Sequence, residues 1–135
     1  AICDIDLFKK VNDTYGHQCG DEAIKHVVDV IGRGLDELGC LGRLGGEEFG
    51  IFITLPDVSQ QSAAGRVDAD SDFENIRQTL EKSPLQWNEN VLNLTISTGV
   101  SLHREGEKVE ETLSRADAGV YQAKESGRNK VVLVS

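Results

Sequence analysis

The chain has 135 residues, 39% hydrophobic and 27% charged, the make-up of a single domain with room for a core. Its 23 acidic residues against 14 basic ones give a formal net charge of −9. That argues against a nucleic-acid or membrane surface as partner, since both need a basic footprint. A nucleotide substrate stays open, provided that metal ions and a few placed cations offset local repulsion. Cys3, Cys19 and Cys40 are odd in number, scattered and without CxxC spacing, which reads as reduced thiols of a cytosolic protein. No apolar run is long enough to span a bilayer and no signal peptide is visible.

In chain order, Ile2 to Asp6 reads as a strand, and Leu7 to Tyr15 as a helix with Phe8, Val11 and Tyr15 at helical spacing. A strand running straight into a helix presents free backbone amides, a ready anion site. Gly16 to Gly20 reads as a loop. Asp21 to Leu38 reads as a second helix whose Ile24, Val27, Val28, Ile31, Leu35 and Leu38 form one apolar stripe, ended by Gly39. His26, beside that stripe, reads as a packing or surface residue. Cys40–Leu44 and Glu47–Leu55 form a hairpin about Gly45-Gly46, because primed turns need positive φ, and Pro56-Asp57 closes it. As strand neighbours, Glu47 and Glu48 are expected to point to opposite faces.

Ser59 to Lys82 is helical but uneven. Ala63, Ala64 and Val67 form one patch and Phe73, Ile76 and Leu80 another, with a break expected near Gly65–Asp72 and a capping box of Ser71 and Glu74. Leu85–Trp87 and Val91–Ser101 read as strands about an Asn88-Glu89-Asn90 turn, with Trp87 packing in the hairpin. Glu110 to Ser126 is the last helix, with Val109, Leu113, Ala116, Val120 and Ala123 on one face and Gly127 at C′. Lys130–Val134 is a closing strand. The order β-α-α-β-β-α-β-β-α-β, with its hairpins, predicts an α/β (α+β) fold with a mainly antiparallel central sheet flanked by helices.

Gly45-Gly46-Glu47-Glu48-Phe49 resembles the signature of the GGDEF family, the diguanylate cyclases, in its Glu variant. Asp4-Ile5-Asp6-Leu7-Phe8-Lys9-Lys10-Val11-Asn12-Asp13-Thr14-Tyr15-Gly16-His17 resembles the family's first block, with Gly20-Asp21 at the family spacing. Arg115-Ala116-Asp117, Tyr121-Gln122-Ala123-Lys124 and Gly127-Arg128-Asn129 resemble its last block. The three blocks stand in order across nearly the whole chain. The resemblance implies a ferredoxin-like, palm-type nucleotidyl cyclase fold. It implies condensation of two GTP into cyclic di-GMP and two pyrophosphates, a 3′-hydroxyl attacking an α-phosphate. It also implies a Mg²⁺ (or Mn²⁺) cofactor, a homodimer for catalysis, a cytoplasmic domain, and an upstream regulatory domain, with membrane attachment of the whole protein left open. Family members carry a further helical segment before the first strand, so residues 1–135 are expected to be one GGDEF domain lacking its N-terminal segment.

By this resemblance Asp4, the Ile5 carbonyl, Glu47 and Glu48 hold metal, oxygen donors that suit a hard ion. Glu47 also resembles the residue assigned as proton acceptor, though a carboxylate on a metal is a poor base. Phe8 and Lys9 contact phosphate, Lys9 as a stabiliser of developing charge. Asn12 and Asp21 resemble the guanine readers, with hydrogen-bonding groups complementary to that base edge. His17 contacts substrate, and Lys124 and Arg128 hold the β- and γ-phosphates. Position alone offers plainer readings: a surface lysine for Lys9, a helix-end residue for Asn12, an N-cap for Asp21, and charges opposing a helix dipole for Asp6, Lys124 and Arg128. The family's Arg-x-x-Asp product-inhibition site is absent at its usual distance, where the chain reads Asp36-Glu37-Leu38-Gly39, so no tight inhibition by cyclic di-GMP through that motif is expected. The rival function is a catalytically silent GTP-binding or interaction module. The joint presence of Asp4, Lys9, Asn12, Asp21, Glu47, Lys124 and Arg128 weighs for the enzyme.

Overall fold

The computed structural model describes residues 1–35, 37, 39–55 and 68–135. The elements are β1 (Ile2–Ile5), α1 (Phe8–Tyr15), α2 (His17–Leu35), β2 (Gly39–Gly45), β3 (Glu48–Ile53), α3 (Asp68–Glu81), β4 (Leu85–Trp87), β5 (Asn90–Leu92), β6 (Ile96–Ser101), α4 (Val109–Glu125) and β7 (Lys130–Val134). Five strands form one sheet in the order β2-β3-β1-β6-β7, and β4 and β5 form a separate ribbon. Every pair is antiparallel except β6 with β7, which α4 connects as a crossover. The expected α+β fold with a mainly antiparallel sheet flanked by helices is therefore found.

Strand alternation divides the sheet into two faces. Cys3, Ile5, Phe49, Ile51, Ile96 and Val100 point into a core shared with Val27, Ile31 and Leu35 of α2 and Phe73, Ile76 and Leu80 of α3. Ile2 packs on the other face with Ala116 and Val120 of α4. Asp4 and Asp6 alternate with the core residues of β1, which places them on the α4 face near the end of the strand. The helix lies very close to that face: a Cβ on Gly99 of β6 would stand 1.8 Å from the Ala116 carbonyl oxygen. Cys3 and Cys19 are buried, Cys40 is exposed, and all three are free thiols. Among the described residues, no helix is long and apolar enough to cross a membrane.

Several expected boundaries shift. The Gly16–Gly20 loop is only Gly16, since α2 begins at His17; Asp21 therefore lies inside a helix and is not its N-cap. A single glycine with φ 90 suffices, because its N–H still closes on the Asn12 carbonyl at 2.8 Å. Ser71 likewise lies inside α3, which starts at Asp68, so it caps nothing. The expected patch at Ala63, Ala64 and Val67, the Pro56-Asp57 closure, and the part of the Gly65–Asp72 break before Asp68 lie outside the described residues, whereas residues 68–72 belong to α3.

The strand expected over Val91–Ser101 splits into β5 and β6. The physical reason is Asp6, whose backbone N–H donates to the Thr95 carbonyl at 2.9 Å while Thr95 Oγ1 donates to its carboxylate at 2.8 Å. Trp87 packs against the main core, as expected. His26 also fits its reading, with Nε2 2.6 Å from the Ser83 carbonyl oxygen.

Candidate active site

The hairpin tip comes first, because its geometry decides where two carboxylates stand. Gly45 pairs with Glu48, which leaves Gly46 and Glu47 as the turn, one residue later than the Gly-Gly pair suggests. Gly46 has φ 47, a conformation that glycine adopts at no steric cost, and its carbonyl accepts from Arg43 Nε at 2.9 Å. Glu47 is thus outside the ladder and freed from strand alternation. Its backbone carbonyl accepts from the Ile5 N–H at 3.2 Å, which fixes the turn over the end of β1. Glu48 stands directly opposite Asp4 in the β1–β3 register, so the two share a face.

The electrostatics report a place short of positive charge. Burial pushes the Asp4 carboxyl up, and Glu47 and Asp6 push the same way, against the hydrogen bond and charge of Lys124. Burial also raises Glu48, with Asp117, Asp4 and Glu47 adding repulsion and Lys124 opposing it. Lys124 Nζ lies 2.9 Å from Asp4 Oδ2, one placed cation among the carboxylates of Asp4, Asp6, Glu47, Glu48 and Asp117. The donors are carboxylate and carbonyl oxygens, the chemistry of a hard divalent ion, and the residues present fit such an ion on that ground. Among the described residues no three such side chains are drawn together into a ligand cluster.

The residues expected to face a nucleotide sit on the elements after β1. Leu7, exposed and in the left-handed region at φ 56, turns the chain from β1 into α1. The N–H groups of the first turn of α1, at Phe8 and Lys9, have no partner within the helix and open beside the Asp4–Asp6 strand end. Lys9 is exposed and Phe8 half-buried. Asn12 is half-buried against Gly20: a Cβ there would fall 1.9 Å from Asn12 Oδ1 and 3.3 Å from Phe8 Cζ. Asn12 is thereby brought beside the backbone that carries Asp21. His17 and Asp21 are exposed on the first turns of α2. Lys124 is at the end of α4 and Arg128 in the following turn, exposed, with φ 64.

Sequence reasoning missed the part that two named residues play. Asp117, exposed on α4, adds its charge to Glu48. Its spacing of seven from Lys124, two helical turns, was the available signal. Asp6 is an anchor: its carboxylate accepts from Ser97 Oγ at 2.6 Å, Thr95 Oγ1 at 2.8 Å and the Asn129 N–H at 3.0 Å. Those donors come from residues about 90 to 123 positions away, which no local pattern reveals. A groove of about 470 Å³, lined by Ala1, Phe52, Phe73, Leu102 and Leu113, is at the opposite end of the sheet from Asp4.

Comparison with known proteins identifies the family. The family model for the diguanylate cyclase GGDEF domain matches residues 1–130. The Escherichia coli (strain K12) protein named "Probable diguanylate cyclase DgcT" is 41% identical over 135 residues, covering 98% of this chain and 28% of that protein. The crystal structure of diguanylate cyclase SiaD in complex with its activator SiaC, from Pseudomonas aeruginosa, superposes with a TM-score of 0.87 at 34% identity, covering 98% of this chain and 48% of that one. The coiled coil and GGDEF domain of DgcB from Caulobacter crescentus, in complex with c-di-GMP, superposes with a TM-score of 0.83 at 32% identity, covering 98% and 67%. The chain thus spans less than a third of the length of DgcT and about half of the SiaD chain. With its sequence blocks, its fold and the family model all in agreement, the chain belongs to the GGDEF-domain family of diguanylate cyclases.

Proposed function

We propose that residues 1–135 are the catalytic GGDEF domain of a diguanylate cyclase, which condenses two GTP into cyclic di-GMP and releases two pyrophosphates. The observation that carries the reading is the meeting of the Glu47–Glu48 hairpin tip with Asp4, faced by Lys124 from the last helix. Asp4, the Ile5 carbonyl, Glu47 and Glu48 would hold a divalent ion, magnesium or manganese. When bound, such an ion supplies charge neutralisation on the triphosphate and acidifies the attacking hydroxyl. Asn12 and Asp21 read the guanine edge, with His17 beside them. Phe8 and Lys9 offer backbone and side-chain positive charge to the phosphates. Lys124 leaves Asp4 for the β- and γ-phosphates, which Arg128 also holds. Glu47 resembles the family's proton acceptor, but a carboxylate on a metal is a poor base, so its role as a ligand is the one proposed.

One domain holds one GTP and the reaction joins two, so the active form is a homodimer with facing half-sites. The coiled coil that accompanies the GGDEF domain in DgcB and the activator bound to SiaD support control by further segments or partners. The domain works in the cytoplasm, where GTP is supplied. Arg33, exposed and paired with Asp29 at 3.1 Å, offers no product-inhibition site in the usual place. Asp36 and Leu38 lie outside the described residues. Strong cyclic di-GMP binding abolished by Arg33→Ala would overturn that point.

The reading is tested by incubating a dimerised form of the chain with GTP and magnesium and separating the products chromatographically. Cyclic di-GMP formed by the wild type and lost in Glu47→Gln is expected. Measurable GTP binding with no cyclic dinucleotide identifies a silent module instead.

A further inference from the structure

The turn that carries Arg128 runs through three successive residues with positive φ: Gly127 at 112, Arg128 at 64 and Asn129 at 48. Side-chain-bearing residues oppose that region and adopt it where their surroundings hold them. Two sets of contacts hold Asn129. Its backbone N–H donates to the buried Asp6 carboxylate at 3.0 Å. Its side-chain Oδ1 accepts from Arg77 Nη1 at 2.8 Å, and its Nδ2 donates to Glu81 Oε1 at 3.0 Å, so both ends of the amide are engaged on α3.

Arg77 is itself immobilised. Its side chain is 12% exposed, with Nε 2.9 Å from Glu74 Oε2, Nη2 2.5 Å from Glu74 Oε1 and Nη1 2.8 Å from Glu81 Oε2. Pairs three and four apart on a helix are ordinary surface features. The contact with Asn129 is different: it crosses 52 residues and ends on the immediate neighbour of Arg128. Every donor nitrogen of Arg77 is thereby used within the protein, so the residue is set to orient a neighbour and not to meet a ligand.

We infer that Arg77 and Asn129 are positioning residues for the triphosphate clamp, holding the turn in the one conformation that aims Arg128 at the β- and γ-phosphates. The inference rests on the phosphate role proposed for Arg128. It is tested by titration calorimetry, with magnesium, of GMP and of guanosine 5′-(α,β-methylene)triphosphate, an analogue that cannot release pyrophosphate. The proteins are the full chain as wild type, Arg77→Gln, Asn129→Ala, Arg128→Ala and the double variant Arg77→Gln/Arg128→Ala.

Arg77→Gln and Asn129→Ala are expected to weaken the triphosphate analogue about tenfold, the scale of one charge-assisted hydrogen bond, and to leave GMP unchanged. The double variant is expected to bind no more weakly than Arg128→Ala alone. Equal weakening of both ligands, an additive loss in the double variant, or unchanged binding of the analogue would overturn the inference. Should Arg77→Gln not fold, Asn129→Ala decides, since it leaves Arg77 paired with Glu74 and Glu81. A wild-type chain that binds neither nucleotide would overturn the reading of the site itself, and that failure shows in the wild type before any variant is compared.

Discussion

At the scale of single residues, the site holds more negative charge than Lys124 can balance. Glu48 bears repulsion from Asp117, Asp4 and Glu47 on top of partial burial. Glu48→Gln removes a charge that the metal-free fold opposes, so it should raise the melting temperature at neutral pH by about 2 °C, while impairing activity; stabilisation at the expense of function is the usual sign of an active-site charge. Calorimetry of the metal-free chain checks this, and a fall in melting temperature would contradict it. Gly20 offers a second test. Alanine gains about 1 kcal/mol of helix propensity there, yet its Cβ meets Asn12 Oδ1 at 1.9 Å. Gly20→Ala should therefore stay folded but displace Asn12 and lose about tenfold in GTP affinity, with ATP binding unaffected. Neither the charge imbalance nor this contact is legible in the sequence. Glycine and asparagine eight residues apart gain meaning only when α1 folds back on α2.

At the scale of elements, α4 sets the height of the wall that carries Lys124. Gly119 sits against Gly99, where a Cβ would come within 2.8 Å of the Gly99 Cα. This contact keeps the helix low over β6 and its end over β1, so that Lys124 reaches Asp4. Gly99→Ala drives a methyl into the Ala116 carbonyl, an overpacking cost of about 1–3 kcal/mol, and should lower the melting temperature by roughly 5 °C or more. Most elements were readable because their local pattern is strong: the stripe of α2 from Ile24 to Leu35 and the hairpin of β2 and β3 both appear where expected. The misplacements have specific causes. Glu47 falls in the turn because pairing runs to Gly45, and the Val91–Ser101 strand breaks because Thr95 leaves the ladder to satisfy Asp6.

At the scale of the whole molecule, a five-stranded sheet carries the acidic site at one end and an arginine-braced loop at the other. Arg115 holds Glu107 through two nitrogens, at 2.7 and 2.6 Å, and this keeps the Glu107 carboxyl well below its ordinary value near 4.5. A depressed carboxylate stabilises the fold above its unfolded pKa and loses that contribution as pH falls through the folded value. Stability should accordingly decline below about pH 4.5, more steeply in the wild type than in Glu107→Gln, as chemical denaturation across pH would show. The fold class, a mainly antiparallel sheet flanked by helices, followed from the order of strands and helices. The pairing of distant groups, Asp6 with Asn129 or Arg77 with Asn129, did not, because burial and backbone turns decide it. The central claim is that the strand end and the hairpin tip share a divalent ion with a nucleotide. It is tested most directly by manganese binding, followed by electron paramagnetic resonance in the presence of the methylene GTP analogue. The account predicts manganese bound by the wild type and released in both Asp4→Asn and Glu47→Gln; equal manganese affinity in all three would contradict it.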